Sequence, residues 1–529
     1  MLCELASPIR QRSSNPLVRK RLQSVLVGYN SQMHLHDDND ETSTVPNLIL
    51  VSHRGPVTFD GAPEHPESKR SGGGLVTALR DLVRHTEHAT WVCWAASECD
   101  RQFAERGDVP VVIDGGGMCS VRFVAVAPEV HHPFYSVIAN PMLWFIQHML
   151  WAMGSAPDIT ANELQAWQHG YVETNRQFAT AISDVAHDDS DAIVMIHDYH
   201  FYLVPAMLRA NGVANFIYYF VHIPWPHPEA WRILPTRIRE AIMQGILGAD
   251  LVAFHTDRYA RNFLATCAEF LGLDVDYRAS TVRYEGRTVA VRFYPISIDR
   301  DSLAALANTP AVGDHTTALT MSRRDKLILR VDREDPSKNI LRGFRAFERM
   351  LELHPELTGN VTFLALLQPT RRDVDEYRQY HDDIVHLVDA INARWRTNAW
   401  SPIDLRIAEN LPLAVAAYLQ FDVLMVNAVA DGMNLVAKEA LIVNECDGVL
   451  ALSENTGAYE ELGAIAVMLQ PFDIEQQADG LWHALTMEPK ERRMRHDAGV
   501  EIVETNNVAK WLSHQLQDIR NLRTQTASN

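Results

Sequence analysis

Short, almost wholly apolar runs punctuate this chain, and each breaks on turn-forming or charged residues. The first is Asn47-Leu-Ile-Leu-Val-Ser52, which stops at Arg54-Gly55-Pro56. Similar runs occupy 192–196, 216–220 and 251–254. Runs of this length read as buried strands. Between them lie amphipathic stretches, such as 162–186 and 238–247. Strands alternating with helices predict parallel, doubly wound sheets.

The pattern then restarts. A run at 326–331 is followed by a helical stretch at 340–353 and another run at 361–366, with later strands predicted at 423–426 and 448–452. Between the two series, 298–324 carries Asp, Ala, Thr and Pro with weak periodicity, the natural place for a hinge. The prediction is therefore an α/β protein of two doubly wound domains facing each other. A cleft would lie at the carboxyl ends of their strands, where such sheets bind ligands. Residues 1–45 are polar and irregular, with the acidic run Asp37, Asp38, Asp40 and Glu41, and read as a disordered extension. The expected division is 46–300 for the first domain, 301–500 for the second, and a C-terminal helix and tail over 501–529. No internal repeat points to a solenoid.

Length and composition narrow the function classes. A chain of 529 residues, 47% hydrophobic and 22% charged, exceeds one ordinary core but has normal globular composition. Its formal charge of −19 argues against a surface that tracks nucleic acid or anionic lipid, so an anionic ligand must be caught locally. Six cysteines show neither a CxxC pair nor zinc-ligand spacing, which fits a reduced, cytoplasmic compartment. No stretch is long and apolar enough to span a bilayer. Residues 1–20 lack the apolar centre of a secretory signal, and their arginines read as a floppy tail in preference to a targeting peptide. An oligomer of identical chains stays open.

Four clusters carry chemistry. Arg54 follows the first strand, and Ser71-Gly72-Gly73-Gly74-Leu75 precedes a helical run, where glycines let backbone amides approach an anion; a plain flexible turn is the bland alternative. His197-Asp198-Tyr199-His200 and His222-Ile-Pro-Trp-Pro226 each follow a strand, so their polar groups point into the crevice unless they merely satisfy loop backbone. Asp332-Arg333-Glu334-Asp335-Pro336-Ser337-Lys338 offers two cations to a diphosphate, against an ordinary Arg333–Asp335 ion pair. In Asp431-Gly-Met-Asn-Leu-Val-Ala-Lys-Glu439, Gly432 permits a tight turn, the amides of Met433, Asn434 and Leu435 open a helix, and Glu439 lies one turn on, able to hold a ribose diol.

Taken together, Gly73-Gly74-Leu75, Trp144, the two histidine clusters, Arg333 with Lys338, and 431–439 resemble the trehalose-6-phosphate synthase family in order and separation. The likeness runs from about residue 47 to 516. It implies two facing Rossmann-like domains of GT-B type and a metal-independent, cofactor-free retaining transfer of glucose from UDP- or GDP-glucose to glucose-6-phosphate. By that resemblance Arg333 and Lys338 bind and stabilise the leaving diphosphate, Glu439 holds the ribose, and Asp431 and His222 contact the glucose. Asp198 contacts the acceptor, and Arg54, Tyr135, Trp144 and Arg371 form the acceptor-phosphate pocket. Arg371 is preferred to Arg372 because its distances to Val374 and Tyr377 fit the family pattern. Four departures stand out: His53 for an asparagine, Pro336 for an aromatic, Asn339 for a glycine and Ala430 for an arginine. The segment 222–235 also looks like the cyclitol-coupling pseudoglycosyltransferases. Transfer to glycerol-3-phosphate, cyclitol coupling, and a silent sugar-phosphate sensor are the alternatives. The intact set Arg333, Lys338, Asp431 and Glu439 disfavours silence.

Overall fold

The computed structural model describes residues 47–527 apart from 63, 73, 85, 87 and 114–116. The predicted extension and Gly73 thus lie outside the described residues. Ten strands form the first sheet, in the order Val275–Asp276, Thr281–Tyr284, Arg287–Phe293, Leu251–Phe254, Ile217–Phe220, Ile193–His197, Leu48–Val51, Ala89–Trp94, Gly117–Val124, Val109–Ile113. Its middle is parallel, with antiparallel additions at both edges. Leu48–Val51, Ile193–His197, Ile217–Phe220 and Leu251–Phe254 are buried along their whole length, as continuous apolar runs between two helical layers must be.

Six parallel strands form the second sheet: Ile403–Ile407, Val361–Gln368, Lys326–Arg333, Val423–Val426, Val449–Ser453, Val467–Leu469. Chain order reverses between Leu48–Val51 and Ile193–His197 in the first sheet and between Lys326–Arg333 and Val423–Val426 in the second. Each reversal opens a crevice at the strand ends. The stretch with weak periodicity between the sheets folds as two helices, Arg300–Ala307 and Pro310–Ser322. Asp299 caps the first by accepting from the amides of Asp301 and Ser302, and Pro310 starts the second. Val312 and Leu319 are the buried residues of the second helix, so its apolar stripe is one residue wide and barely registers as periodic.

The amphipathic stretch at 162–186 is a helix interrupted by a π-helical segment, Ala166–Val172, whose Gly170 lies against the Phe134 backbone. At the other end of the chain, the helix Val508–Ala527 returns to the first sheet. Tyr218 Oη donates to Gln515 Oε1 at 2.6 Å, and Tyr294 Oη donates to Asp518 at 2.6 Å. One apolar cluster runs through both sheets and this helix, joining Tyr218 and Phe220 to Leu329, Leu424, Trp511 and Ile519. Among the described residues no helix is long and apolar enough to cross a membrane, and Cys93, Cys99, Cys119, Cys267 and Cys446 are free.

The sheets also meet backbone to backbone. A methyl group on Gly432 would overlap the His222 carbonyl, and one on Gly457 would overlap the Gly432 carbonyl. Gly432 does not have a positive φ, so space, not turn geometry, demands glycine; the left-handed residue of this segment is Asn434, at φ 86°. Gly432→Ala must therefore push the strand ends apart. Overpacking costs about 1–3 kcal/mol, so we expect a lower denaturant midpoint than wild type. Gly154→Ala, which meets nothing within 4 Å, serves as the neutral control.

Candidate active site

The two reversals bring the polar strand ends together. Arg54 follows Leu48–Val51, Asp198 follows Ile193–His197, and His222 follows Ile217–Phe220. From the second sheet come Arg333 at its own strand's last position, Lys338 in the 3-10 turn Pro336–Lys338, Arg371 after Val361–Gln368, and Asp431 after Val423–Val426. Tyr135 sits on the π-helical segment Pro133–Leu143, and Trp144 opens the short helix that follows. Of the glycine run, Gly72 lies beside Glu409 of the second sheet's side, and Gly74 starts the helix Gly74–Arg84.

Asp335 is the hub. Its buried carboxylate accepts from Trp144 Nε1 at 3.2 Å, Arg371 Nη1 at 2.9 Å, the Ser337 amide at 2.9 Å and Tyr377 Oη at 3.3 Å. Burial works to raise its pKa, but Arg371 and Arg333 outweigh it and hold the carboxyl well below the usual range. Arg371 also donates to Tyr199 Oη at 3.1 Å and lies 4.1 Å from the Trp144 ring centroid. Arg372 is half exposed and pairs with Glu334 at 3.4 Å, which leaves Arg371 as the arginine turned into the crevice. Asp335 is thus committed to Arg371, and the alternative Arg333–Asp335 ion pair does not form. Arg333 stands 5.4 Å over Trp144 and is paired with no carboxylate among the described residues.

Around the second reversal, Lys338 bonds Asp431, which also accepts from Asn434 Nδ2 at 3.1 Å. Burial raises the Asp431 pKa, and Lys338 overrides it to give a lowered value. Tyr259, from the first sheet's side, donates to the Asp431 carbonyl at 2.8 Å. Asn434 caps the helix Leu435–Val443 by accepting from the Ala437 amide. Among the described residues the amides of Met433 and Leu435 beside it donate to no backbone carbonyl, an arrangement open to anionic oxygens. Glu439, one turn along, takes a 3.4 Å bond from Tyr418 Oη, and burial raises its pKa.

On the first sheet's side, burial pushes the Asp198 carboxyl up to about 6, against the amides of Tyr199 and His222 and the charges of Arg371 and Arg333. Arg54 is exposed. His53 and His200 are stacked rings, 4.7 Å apart, with Tyr135 5.0 Å from His53. Burial lowers the pKa of both histidines, and the charges of Arg54 and Arg371, one from each sheet, lower it further. The departure at 53 is thereby accounted for by packing. Asn339, the departure from glycine, has φ 59° and ψ 38°, a left-handed conformation that asparagine tolerates.

Sequence reasoning missed the backbone signal. Among the described residues eight non-glycine positions have positive φ, and four of them, Asp198, Asn339, Arg371 and Asn434, ring this crevice. Such strain concentrates at functional sites. It also missed His255 and Tyr259, whose partners lie 33 and 172 residues away, and used Tyr377 only as a spacing mark, not as a partner of Asp335 42 residues away.

The family model for glycosyltransferase family 20 matches residues 46–521. The chain belongs to that family. It is 32% identical over 485 residues to an alpha,alpha-trehalose-phosphate synthase [UDP-forming] A of Dictyostelium discoideum, covering 90% of this chain and 63% of that protein. The chain thus spans under two thirds of the length of that relative. Among solved structures, a UDP-forming synthase from Burkholderia xenovorans in complex with glucose-6-phosphate superposes with TM-score 0.76 at 28% identity, covering 90% of this chain and all of that one. An E. coli trehalose-6-phosphate structure bound with UDP-2-fluoro glucose gives TM-score 0.77 at 25% identity, covering 89% and 98%. The family 20 architecture is the two-sheet GT-B fold.

Asp335→Ala in this chain should be strongly destabilising, because it strands the buried Arg371 charge and the Trp144 N–H. Breaking one side of a buried pair costs about 3–5 kcal/mol. A urea midpoint within error of wild type would show that the hub is not structural.

Proposed function

We propose that the protein is a retaining glucosyltransferase that moves glucose from UDP-glucose to glucose-6-phosphate, giving α,α-trehalose-6-phosphate and UDP. The acceptor is held by the 46–300 unit and the nucleotide sugar by 301–500. One observation carries the reading: Arg54 and Arg371, from the two sheets, both act on the stacked His53–His200 pair, while Arg333, Lys338 and the Asn434-capped start of the helix Leu435–Val443 gather at the second sheet's reversal. That is one anion site on each side of the crevice. The Dictyostelium relative is named UDP-forming, which favours uridine over guanosine. The neighbours bound to glucose-6-phosphate and to a UDP-glucose analogue support the substrate pair.

Arg333 and Lys338 neutralise the diphosphate as it leaves, each charge-assisted bond contributing about 1.5–3 kcal/mol. The amides of Met433, Asn434 and Leu435 add fixed dipoles that need no reorganisation. Glu439 takes the ribose diol. Lys338 exchanges Asp431 for phosphate, which frees the Asp431 carboxylate for a glucose hydroxyl. Asp198 orients the acceptor, and Arg54, Tyr135, Trp144 and Arg371 receive its phosphate. Retention follows from attack on the face the leaving group vacates, with a donor phosphate oxygen taking the acceptor proton.

The test is release of nucleoside diphosphate from UDP- and GDP-glucose with glucose-6-phosphate, glycerol-3-phosphate and validamine-7-phosphate. We expect UDP-glucose with glucose-6-phosphate to be the fastest pair; a faster rate with another acceptor overturns the assignment. Arg333→Ala removes a cation without stranding a carboxylate, so the fold should persist while kcat falls about 10²- to 10³-fold. For Arg54→Ala, calorimetric titration should show weakened glucose-6-phosphate and unchanged UDP; parallel losses would place Arg54 in loop structure instead.

A further inference from the structure

Three histidines from three neighbouring strand ends form a chain in the first sheet. His197 Nδ1 lies 3.0 Å from His222 Nε2, His222 Nδ1 lies 3.2 Å from His255 Nε2, and His255 Nδ1 lies 3.3 Å from the Tyr294 carbonyl. A carbonyl can accept but never donate, and this fixes every proton in the chain. His255 must carry its proton on Nδ1, so its Nε2 is a lone pair. His222 must then donate from Nδ1, leaving Nε2 to accept from His197 Nδ1–H. The chain ends at His197 Nε2, a buried nitrogen with no partner among the described residues. It cannot run the other way, because Tyr294 has no proton to supply. A second proton on His222 or His255 would set two N–H groups face to face, and burial keeps all three rings neutral, lowering His197 and His255 to about 3. Lys438 and Asp431 are the charged groups acting on His255, with opposite effects.

The anchor lies in the C-terminal helix. The Tyr294 carbonyl that holds His255 also accepts from Trp511 Nε1 at 3.2 Å. Phe220 stacks on the His222 ring at 4.2 Å and 13°, and lies 5.9 Å from the Trp511 ring, so the same helix backs the plane of His222.

We propose that His197 and His255 are positioning residues that lock His222 as its Nδ1–H tautomer, with the helix Val508–Ala527 anchoring the lock through Trp511. The consequence for the reaction rests on His222 facing the transferred sugar. His222 has no proton to give to the sugar or the leaving diphosphate. Its Nε2 lone pair already accepts from His197, so a sugar hydroxyl can bond it only by displacing that N–H, and then only as the donor.

The lock is read directly by NMR of the full chain labelled with 15N-histidine. We expect His222, His197 and His255 to show a protonated Nδ1 and an unprotonated Nε2 at neutral pH. A His222 protonated at Nε2, or at both nitrogens, overturns the proposal. Kinetics give the second reading. Glutamine at 255 offers an oxygen to His222 and an amide N–H to Tyr294, whereas leucine offers neither. His255→Leu should lower kcat roughly 10- to 100-fold with the acceptor KM unchanged, the loss expected from a misplaced sugar contact. His255→Gln should restore most of that loss. Equal losses in both variants, tracking their thermal midpoints, would make His255 merely structural. If His255→Leu fails to fold, the His222 tautomer in His255→Gln decides, and Nδ1–H there upholds the lock. Absence of transfer by the wild type with every donor and acceptor would sink the functional reading while the tautomer measurement still stood.

Discussion

A single buried carboxylate, Asp335, carries the geometry of the crevice. It gathers an indole from the first sheet's side and a guanidinium, a phenol and a backbone amide from its own. An isolated ion at such a depth is costly, so the arrangement is stable only because each oxygen is satisfied and Arg371 neutralises the charge. The Trp144 bond turns that local requirement into a long-range one. Trp144 can reach Asp335 only if the two strand-end surfaces stand at one spacing. The contact of Gly432 with the His222 carbonyl fixes the same spacing from the backbone side.

With the spacing set, the cations divide into two kinds. Arg371 and Lys338 already hold carboxylates, Asp335 and Asp431, whereas among the described residues Arg333 and exposed Arg54 hold none. A charged side chain that is prepaired is held in place at little cost in entropy, and an incoming phosphate exchanges one anion for another instead of ordering a free side chain. An unpaired cation gives the full charge-assisted interaction to the ligand. In the proposed reading, the acceptor phosphate would meet prepaired Arg371 with Arg54 and the diphosphate would meet prepaired Lys338 with Arg333, one preorganised and one uncommitted partner each. On the proposed function, this distribution, more than the number of basic residues, would let a chain of formal charge −19 bind phosphates.

Much of this was legible in the sequence. Continuous apolar runs marked the central strands of the second sheet and four of the first to within a residue or two, because a strand covered on both faces must be apolar throughout, but Ala89–Trp94 beside Leu48–Val51 was not among them. Charged residues just beyond those runs marked the strand ends, and Arg371 could be separated from Arg372 by its spacing to Val374 and Tyr377. What escaped was whatever depends on residues distant in sequence. Trp144 and Asp335 are 191 positions apart, and neither looks unusual alone. Gly432 read as a turn residue because the carbonyl that excludes a side chain belongs to His222. The helices between the sheets escaped for a different reason: a stripe of two buried residues seven apart leaves almost no periodic trace.

The left-handed residues tie these observations together. Asp198, Asn339, Arg371 and Asn434 all interrupt the chain just past a parallel strand, where an L-residue pays for positive φ. Each gain is visible beside it. Asp198 takes the His222 amide on its carboxylate, Asn339 bridges the carbonyls of Asn427 and Pro471, Arg371 reaches Asp335, and Asn434 caps its helix while bonding Asp431. Regular strand or helix geometry would carry these side chains past the crevice. A left-handed residue turns the chain sharply enough to aim a polar group back across the strand ends while the next helix still starts on the sheet. The strain is therefore what turns the ends of two ordinary doubly wound sheets into one crevice with opposed polar faces.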